Sequence, residues 1–444
     1  MQLRDQQILH LALPSILSNI TVPLLGLIDV AIVGHMGSAN YIGAIAVGGM
    51  AFNIIYWIFA FLRMGTSGLT AQALGRRSFT DVIHMFIRSL VIGFSIAFVL
   101  LLAQYPLREI IYRLISPDPD IYALATTYFN ICIWGAPATL GLYSLTGWFI
   151  GMQNTRAPMV IAIAQNIINI LASLCLVFGL GMKIEGVALG TVIAQYAGLL
   201  MGLGIWRRHY LRLRKYIAKE ELWKQEELSR FFHVNKNIFL RTFCLVAVML
   251  YFTSAGAQQG ELILAANTIL MELYLLVSYV MDGFAFAGEA LGGRFIGAQH
   301  RKAFDELLRR LTFWSSLVAL AFTLVYVLLG KGILHLLTDE QAVISKAMTY
   351  LYGAALVAIT GAGAFILDGI FIGATATRDM LLSVFLSTLL FFVLYFLLRD
   401  VWGNHGLWLA YNAYLASRGL VLYLRLGKLR RDAFGIPHPN PPLT

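Results

Sequence analysis

Twelve apolar stretches, each long enough to cross a bilayer, leave this chain almost no choice of fold. They run over about 8–33, 42–72, 83–104, 123–150, 157–180, 184–206, 236–257, 262–293, 306–329, 342–371, 379–398 and 403–427, and a spanning helix needs about 20 largely apolar residues. Inside hydrocarbon every backbone amide must find its partner within the protein, so stretches of this length read as helices. The expected fold is an all-α polytopic membrane protein. Composition agrees, with 59% hydrophobic residues, 13% charged and a mean hydropathy of +0.74. Little chain is left for a large extramembrane domain, and neither HExxH nor GxSxG occurs, so an enzyme is not expected. Cys132, Cys175 and Cys244 lie in apolar stretches without CxxC or Cys/His spacing, which argues against a disulfide framework and against a metal site. No cofactor is expected.

The net charge of +10 raises the question of nucleic acid, and its placement answers it. Of the 33 Lys and Arg, 26 fall before the first span or after even-numbered ones, 6 fall on the opposite side, and Arg63 lies within the second span. Such an asymmetry marks the cytoplasmic side, so both termini are expected there and no nucleic-acid partner is. The start has no separate charged region, short apolar core and cleavage site, and is expected to stay on the protein. The one long polar segment, from about Trp206 to Lys236, mixes charge with apolar residues as a helix lying on the inner surface would. Expected boundaries are a lobe over 1–206, a cytoplasmic linker over 207–235, a second lobe over 236–430 and a tail over 431–444.

The linker sits mid-chain, and the chain repeats about it. An offset of 222 residues lays Leu145, Gly147, Phe149, Ile150, Gly151, Thr155 and Arg156 on Leu367, Gly369, Phe371, Ile372, Gly373, Thr377 and Arg378, seven identities in twelve positions. The same offset pairs Gly75 with Gly297, Gly141 with Gly363, and Thr127 and Tyr128 with Thr349 and Tyr350. Two six-helix halves, each entering the bilayer in the same direction, imply a pseudo-two-fold along the membrane normal. A duplicated twelve-span chain favours alternating access over a channel.

Ionisable residues inside apolar helices are costly, and Asp29, Arg63, Glu272, Asp282, Glu289 and Asp368 are six of them. Asp29 lies in LLGLIDVAIVG with apolar neighbours on both sides, an environment that lets a carboxyl exchange a proton near neutral pH. Pro14 and Pro23 interrupt the same helix and allow it to bend. In the fifth span Asn166, Asn169 and Ser173 are three and four apart and form one stripe, and Thr191 of the sixth span falls at a similar depth. These four are candidate partners of Asp29, although Asn and Thr also join membrane helices by ordinary hydrogen bonds. Asp282 and Glu289, seven apart, share a face of the eighth span; Glu272 lies elsewhere on it. With Asp368 they are secondary candidates for a proton or a cationic substrate, or else pair with Arg294 or Arg378 near the cytoplasmic end. Arg63 reads as a pairing or snorkelling residue. Aromatics, at 13%, suit cation–π contacts and also interfacial belts.

QALG closing the second span, GMQNTRAPM after the fourth, NIINI in the fifth, GVALGT opening the sixth and GATATRDM after the tenth together resemble the multidrug and toxic compound extrusion (MATE) transporters. DGFAFAGEALGGRFIGA is similar to the DinF-type branch, and the match runs over nearly the whole chain. The resemblance implies two six-helix lobes in a V that export amphipathic compounds in exchange for protons or sodium ions. By position it makes Asp29 the proton-binding carboxyl, Pro14 the bending point, and Asn169 and Thr191 the polar companions. Ser173 stands where members often carry a second carboxylate, and the acid expected opposite Asp368 is missing between Lys236 and Gly260. The first departure favours protons over sodium, and the second leaves Asp368 a secondary candidate.

The expected function is therefore proton-coupled efflux of amphipathic, cationic compounds by a monomer in the cell membrane, driven by the gradient because no Walker motif is present. Sodium coupling and flipping of a lipid-linked substrate are the alternatives. The flippase calls for basic residues in the membrane, where this sequence shows mostly acids.

Overall fold

The computed structural model describes the backbone of residues 3–34, 39–115 and 119–435. Between Thr21 and Gly34 the described side chains are those of Thr21, Pro23, Ile28 and Ile32, so the side chain of Asp29 lies outside them. All regular structure among the described residues is helical. In order come α1 (Leu3–Gly34), α2 (Ala39–Ile58), α3 (Phe61–Gly75), α4 (Phe79–Leu102), α5 (Gln104–Ile115), α6 (Pro119–Cys132), α7 (Ala136–Gly151), α8 (Arg156–Leu174), α9 (Ile184–Tyr210), α10 (Lys219–Leu222), α11 (Gln225–Gln258), α12 (Glu261–Gly297), α13 (Arg301–Leu337), α14 (Gln341–Gly373) and α15 (Thr377–Phe434).

Nine described helical segments are long and apolar enough to cross a membrane. One of them, α15, covers the eleventh and twelfth expected spans, broken at Gly403, whose φ of +49° suits a residue without a β-carbon. The second span is α2 with α3, and the fourth is α6 with α7, joined through the tight turn Ile133–Gly135. The first is α1, helical through both Pro14 and Pro23. Large apolar side chains stand exposed along these helices, Leu328 at 75% and Val401 at 76% among them. In water such surfaces would drive association; in a bilayer they face lipid.

Two elements differ from expectation. The connection between the third and fourth spans is itself a helix, α5, whose sequence QYPLREIIYRLI carries its apolar residues on one face. The linker is not one surface helix: it is a 3-10 segment (Leu211–Tyr216), the single turn α10, and the start of α11, which runs unbroken into the seventh span. Arg88, counted with the cytoplasmic charges although it falls inside the third apolar stretch, is buried on α4 and holds this linker. Its Nε donates to the carbonyl of Leu222 at 2.6 Å, its Nη2 to that of Glu221 at 2.8 Å, and its Nη1 faces Glu227 at 3.4 Å. The guanidinium thereby adds donors to carbonyls at the end of a short helix. Beside it His84 Nε2 accepts the amide of Ala218 at 3.1 Å.

The described chain gathers into two compact units. The amino-terminal unit holds Leu17–Thr70 and Ser78–Phe231; the carboxy-terminal unit holds Met1–Ile16, Ala71–Arg77 and Phe232–Thr444. In the latter α14 is the inner helix, its most apolar window 78% buried, because Gly353, Ala354, Ala358 and Gly361 let its neighbours close on the backbone.

The internal repeat survives in three dimensions. In the amino-terminal unit a β-carbon on Gly147 would strike the carbonyl of Arg63; in the carboxy-terminal unit one on Gly369 would strike the carbonyl of Ala285. Each residue of the second pair is its counterpart plus 222. Within the carboxy-terminal unit Gly75 packs on the carbonyl of Arg294, and Gly297 on that of Gln72, a reciprocal contact between repeat-related residues. The four described non-glycine residues with positive φ are again two such pairs, Arg77 with Gln299 and Gln153 with Thr375. Each ends a helix in the left-handed conformation. For Gln153 and Thr375 the pattern is complete, with Asn154 N–H on the Phe149 carbonyl and Ala376 N–H on that of Phe371.

Candidate functional site

In the amino-terminal unit the polar residues of α8 and α9 meet as their spacing implies. Ser173 Oγ donates to Asn169 Oδ1 at 3.4 Å, Asn169 Nδ2 donates to Thr191 Oγ1 at 3.2 Å, and Thr191 Oγ1 donates to the carbonyl of Val187 at 3.1 Å. Asn169 and Ser173 are 1% and 0% exposed. Gly190 makes the junction possible, since a β-carbon there would collide with Ser173. The result is a neutral relay, which can rearrange for a nearby charge without leaving one of its own. Asn166 does not join it; its Nδ2 donates to the carbonyl of Thr21 at 2.9 Å, tying α8 to α1 two residues before Pro23. Pro14 is half-buried and Pro23 exposed.

The carboxy-terminal unit holds a different arrangement. Asp368, on α14 and 6% exposed, receives Arg241 Nη2 from α11 at 2.5 Å and Arg418 Nη2 from α15 at 2.6 Å, both on Oδ2. The arginines are 5% and 4% exposed. Both belong to the charges expected on the cytoplasmic side, and the expected partners of Asp368 are Arg294 or Arg378. The structure corrects this: Arg378 is exposed, and the cations come from inside helices. The companion expected from the seventh span is there with its sign reversed, Arg241 in place of an acid. Buried charge is therefore mixed in sign, with Arg88, Arg241 and Arg418 buried as well as Glu289 and Asp368. Of the other secondary candidates, Glu289 is buried at 1%, Asp282 is half-buried, and Glu272 is exposed.

Sequence alone missed Arg418 because it was read by its nearness to the basic tail. Counted from Gly403 it lies fifteen residues along the last span, roughly 22 Å of helix, with Leu415 and Leu420 on either side. Depth along the helix is the signal that would have found it.

The motifs after even-numbered spans serve packing. Gln72, from QALG, donates to the carbonyl of Gly373 at 2.9 Å and to Thr375 Oγ1 at 3.2 Å, while Asn237 donates to Thr377 Oγ1 at 3.2 Å. Gln72, Asn237, Thr375 and Thr377 line a cavity of about 410 Å³ within the carboxy-terminal unit, with Arg76, Arg378 and Asp379 at its walls.

Comparison with known proteins adds to this geometry. The MatE family model matches residues 14–175 and again 238–397, once in each half. The chain is 38% identical over 422 residues to DNA damage-inducible protein F of Escherichia coli, covering 94% of this chain and 91% of that one. It is 18% identical over 433 residues to the multidrug export protein MepA of Staphylococcus aureus, covering 96% and 94%. Among solved structures, the Vibrio cholerae MATE transporter VcmN in its bent form superposes with a TM-score of 0.87 at 16% identity, covering 97% of this chain and 98% of that one. At that identity the superposition speaks for the fold.

Proposed function

From the premise that this chain belongs to the MATE family of membrane transporters, we propose that it is a proton-coupled antiporter exporting amphipathic organic compounds, cations among them, by alternating access. The family match carries the efflux reading. Proton coupling is the finer proposal and has two supports. The polar relay at Asn169, Ser173 and Thr191 is neutral, which suits a site that binds and releases a proton better than one that holds a metal ion by several hard anionic oxygens. Asp368 already faces two guanidinium groups, so a sodium ion there would meet repulsion from both.

The proposed cycle centres on Asp29. Deprotonated, it favours a state that receives the substrate; protonated from outside, it is neutral, re-forms its hydrogen bonds with the relay, and α1 bends near Pro14 or Pro23 as the substrate leaves. The protein acts as a monomer in the plasma membrane with both termini in the cytoplasm. Uptake of a fluorescent lipophilic cation into proteoliposomes under an imposed pH gradient, with a sodium gradient as comparison, tests the reading. Transport should follow the pH gradient in the wild type and be lost in Asp29→Asn. Transport driven by sodium alone would overturn proton coupling.

A further inference from the structure

The proposed function makes no use of the buried arginines of the carboxy-terminal unit, and they are costly to keep. Each guanidinium has five N–H donors, yet Arg241 and Arg418 share a single acceptor atom, Asp368 Oδ2. The Nε of Arg241, the Nε of Arg418, the hydroxyl of Tyr414 and Oδ1 of Asp368 are buried without a hydrogen-bond partner. The Tyr414 ring lies beneath the Arg418 guanidinium, 5.5 Å from its carbon to the ring centre. The three groups in direct contact sum to one positive charge. A buried, hydrogen-bond-deficient cation of this kind costs several kcal/mol unless an acceptor completes it.

We propose that the Arg241–Asp368–Arg418 cluster, with the Tyr414 hydroxyl, is a binding site for an oxyanion, the carboxylate or phosphate group of an amphipathic molecule. Planar guanidinium forks match the two oxygens of such a group, and charge-assisted bonds of this type are the strong ones. Asp368 then acts as the resident counter-ion that an incoming oxyanion must share the arginines with. The inference rests on the efflux reading for its biological sense, and it widens the substrate class from amphipathic cations to amphiphiles bearing an acidic group.

The test is binding of a dansylated twelve-carbon carboxylate, and of its methyl ester, to the full chain in phosphatidylcholine nanodiscs. The wild type should bind the carboxylate at least about tenfold more tightly than the ester, a difference of about 1.4 kcal/mol. Arg241→Gln and Arg418→Gln should each erase that preference, whereas Asp368→Asn, which removes the competing carboxylate, should strengthen it several-fold. A cluster that only holds α11, α14 and α15 together predicts instead that all three variants lose binding in step. Arg418→Lys keeps the charge without the fork and should give an intermediate preference, which covers a failure of the glutamine variant to fold. Loss of the probe when phosphatidylglycerol replaces part of the phosphatidylcholine would support the same site with a lipid phosphate as occupant. Equal binding of acid and ester by the wild type would overturn the proposal. Transport of the lipophilic cation, measured on the same protein, separates the two failures. Its absence would sink the efflux reading and leave the anion site standing, and its presence beside equal binding would do the reverse.

Discussion

The two halves of this chain use one packing solution and two chemistries. Gly147 and Gly369 press on carbonyls 222 residues apart, and the strained helix ends at Gln153 and Thr375 repeat each other bond for bond. At the buried polar sites the correspondence stops. The amino-terminal unit has a chain of neutral hydrogen bonds through Asn169, and the carboxy-terminal unit has a carboxylate between two arginines. A duplicated scaffold constrains backbone contacts, which tolerate no added atom, far more than it constrains side chains that face inward. One unit buries neutral polar groups, the other buries charge.

That contrast can be broken by substitution. Removing the central charge should cost most: Asp368→Ala leaves two buried arginines unpaired and should destabilise the protein by about 3–5 kcal/mol, read as a fall in thermal unfolding temperature in detergent. A loss below about 1 kcal/mol would mean the cluster is wet and its charges screened. Next come the glycines. Gly147→Ala and Gly369→Ala each place a methyl against a backbone carbonyl, an overpacking penalty of about 1–3 kcal/mol. The two losses should match; tolerance at only one site would show that the repeat is no longer equivalent in packing. Smallest is the neutral relay, where Asn169→Ala removes two interhelical or local bonds at about 0.6–1.7 kcal/mol. The fall in stability should stay below that of the glycine variants while transport under a pH gradient falls. An Asn169→Ala protein that transports normally would reduce the relay to a helix joint.

Much of this was legible beforehand, for physical reasons. Span length and the 222-residue identity are properties of the chain itself, so twelve helices and a duplicated architecture follow without knowing any contact. Asn169 and Ser173 could be paired because one helical turn fixes their proximity. Asn166 shares their stripe, yet its amide turned to the carbonyl of Thr21, which depends on where α1 packs. Arg88, Arg241 and Arg418 escaped for the same reason: whether a charge near a span's end reaches water or a neighbouring helix is set by tertiary packing, and nearness to a basic loop is a poor guide to it. Helix α5 was hidden in a connection too short to span, although its apolar periodicity was visible.

The central claim, that proton and substrate compete for one carboxyl in the amino-terminal half, is most directly tested by proton release. A lipophilic cation is added to purified protein in weakly buffered solution containing a pH indicator, for wild type and for Asp29→Asn. The wild type should release protons as the cation binds, and Asp29→Asn should release none. Equal release from both would place the exchangeable proton elsewhere and contradict the claim.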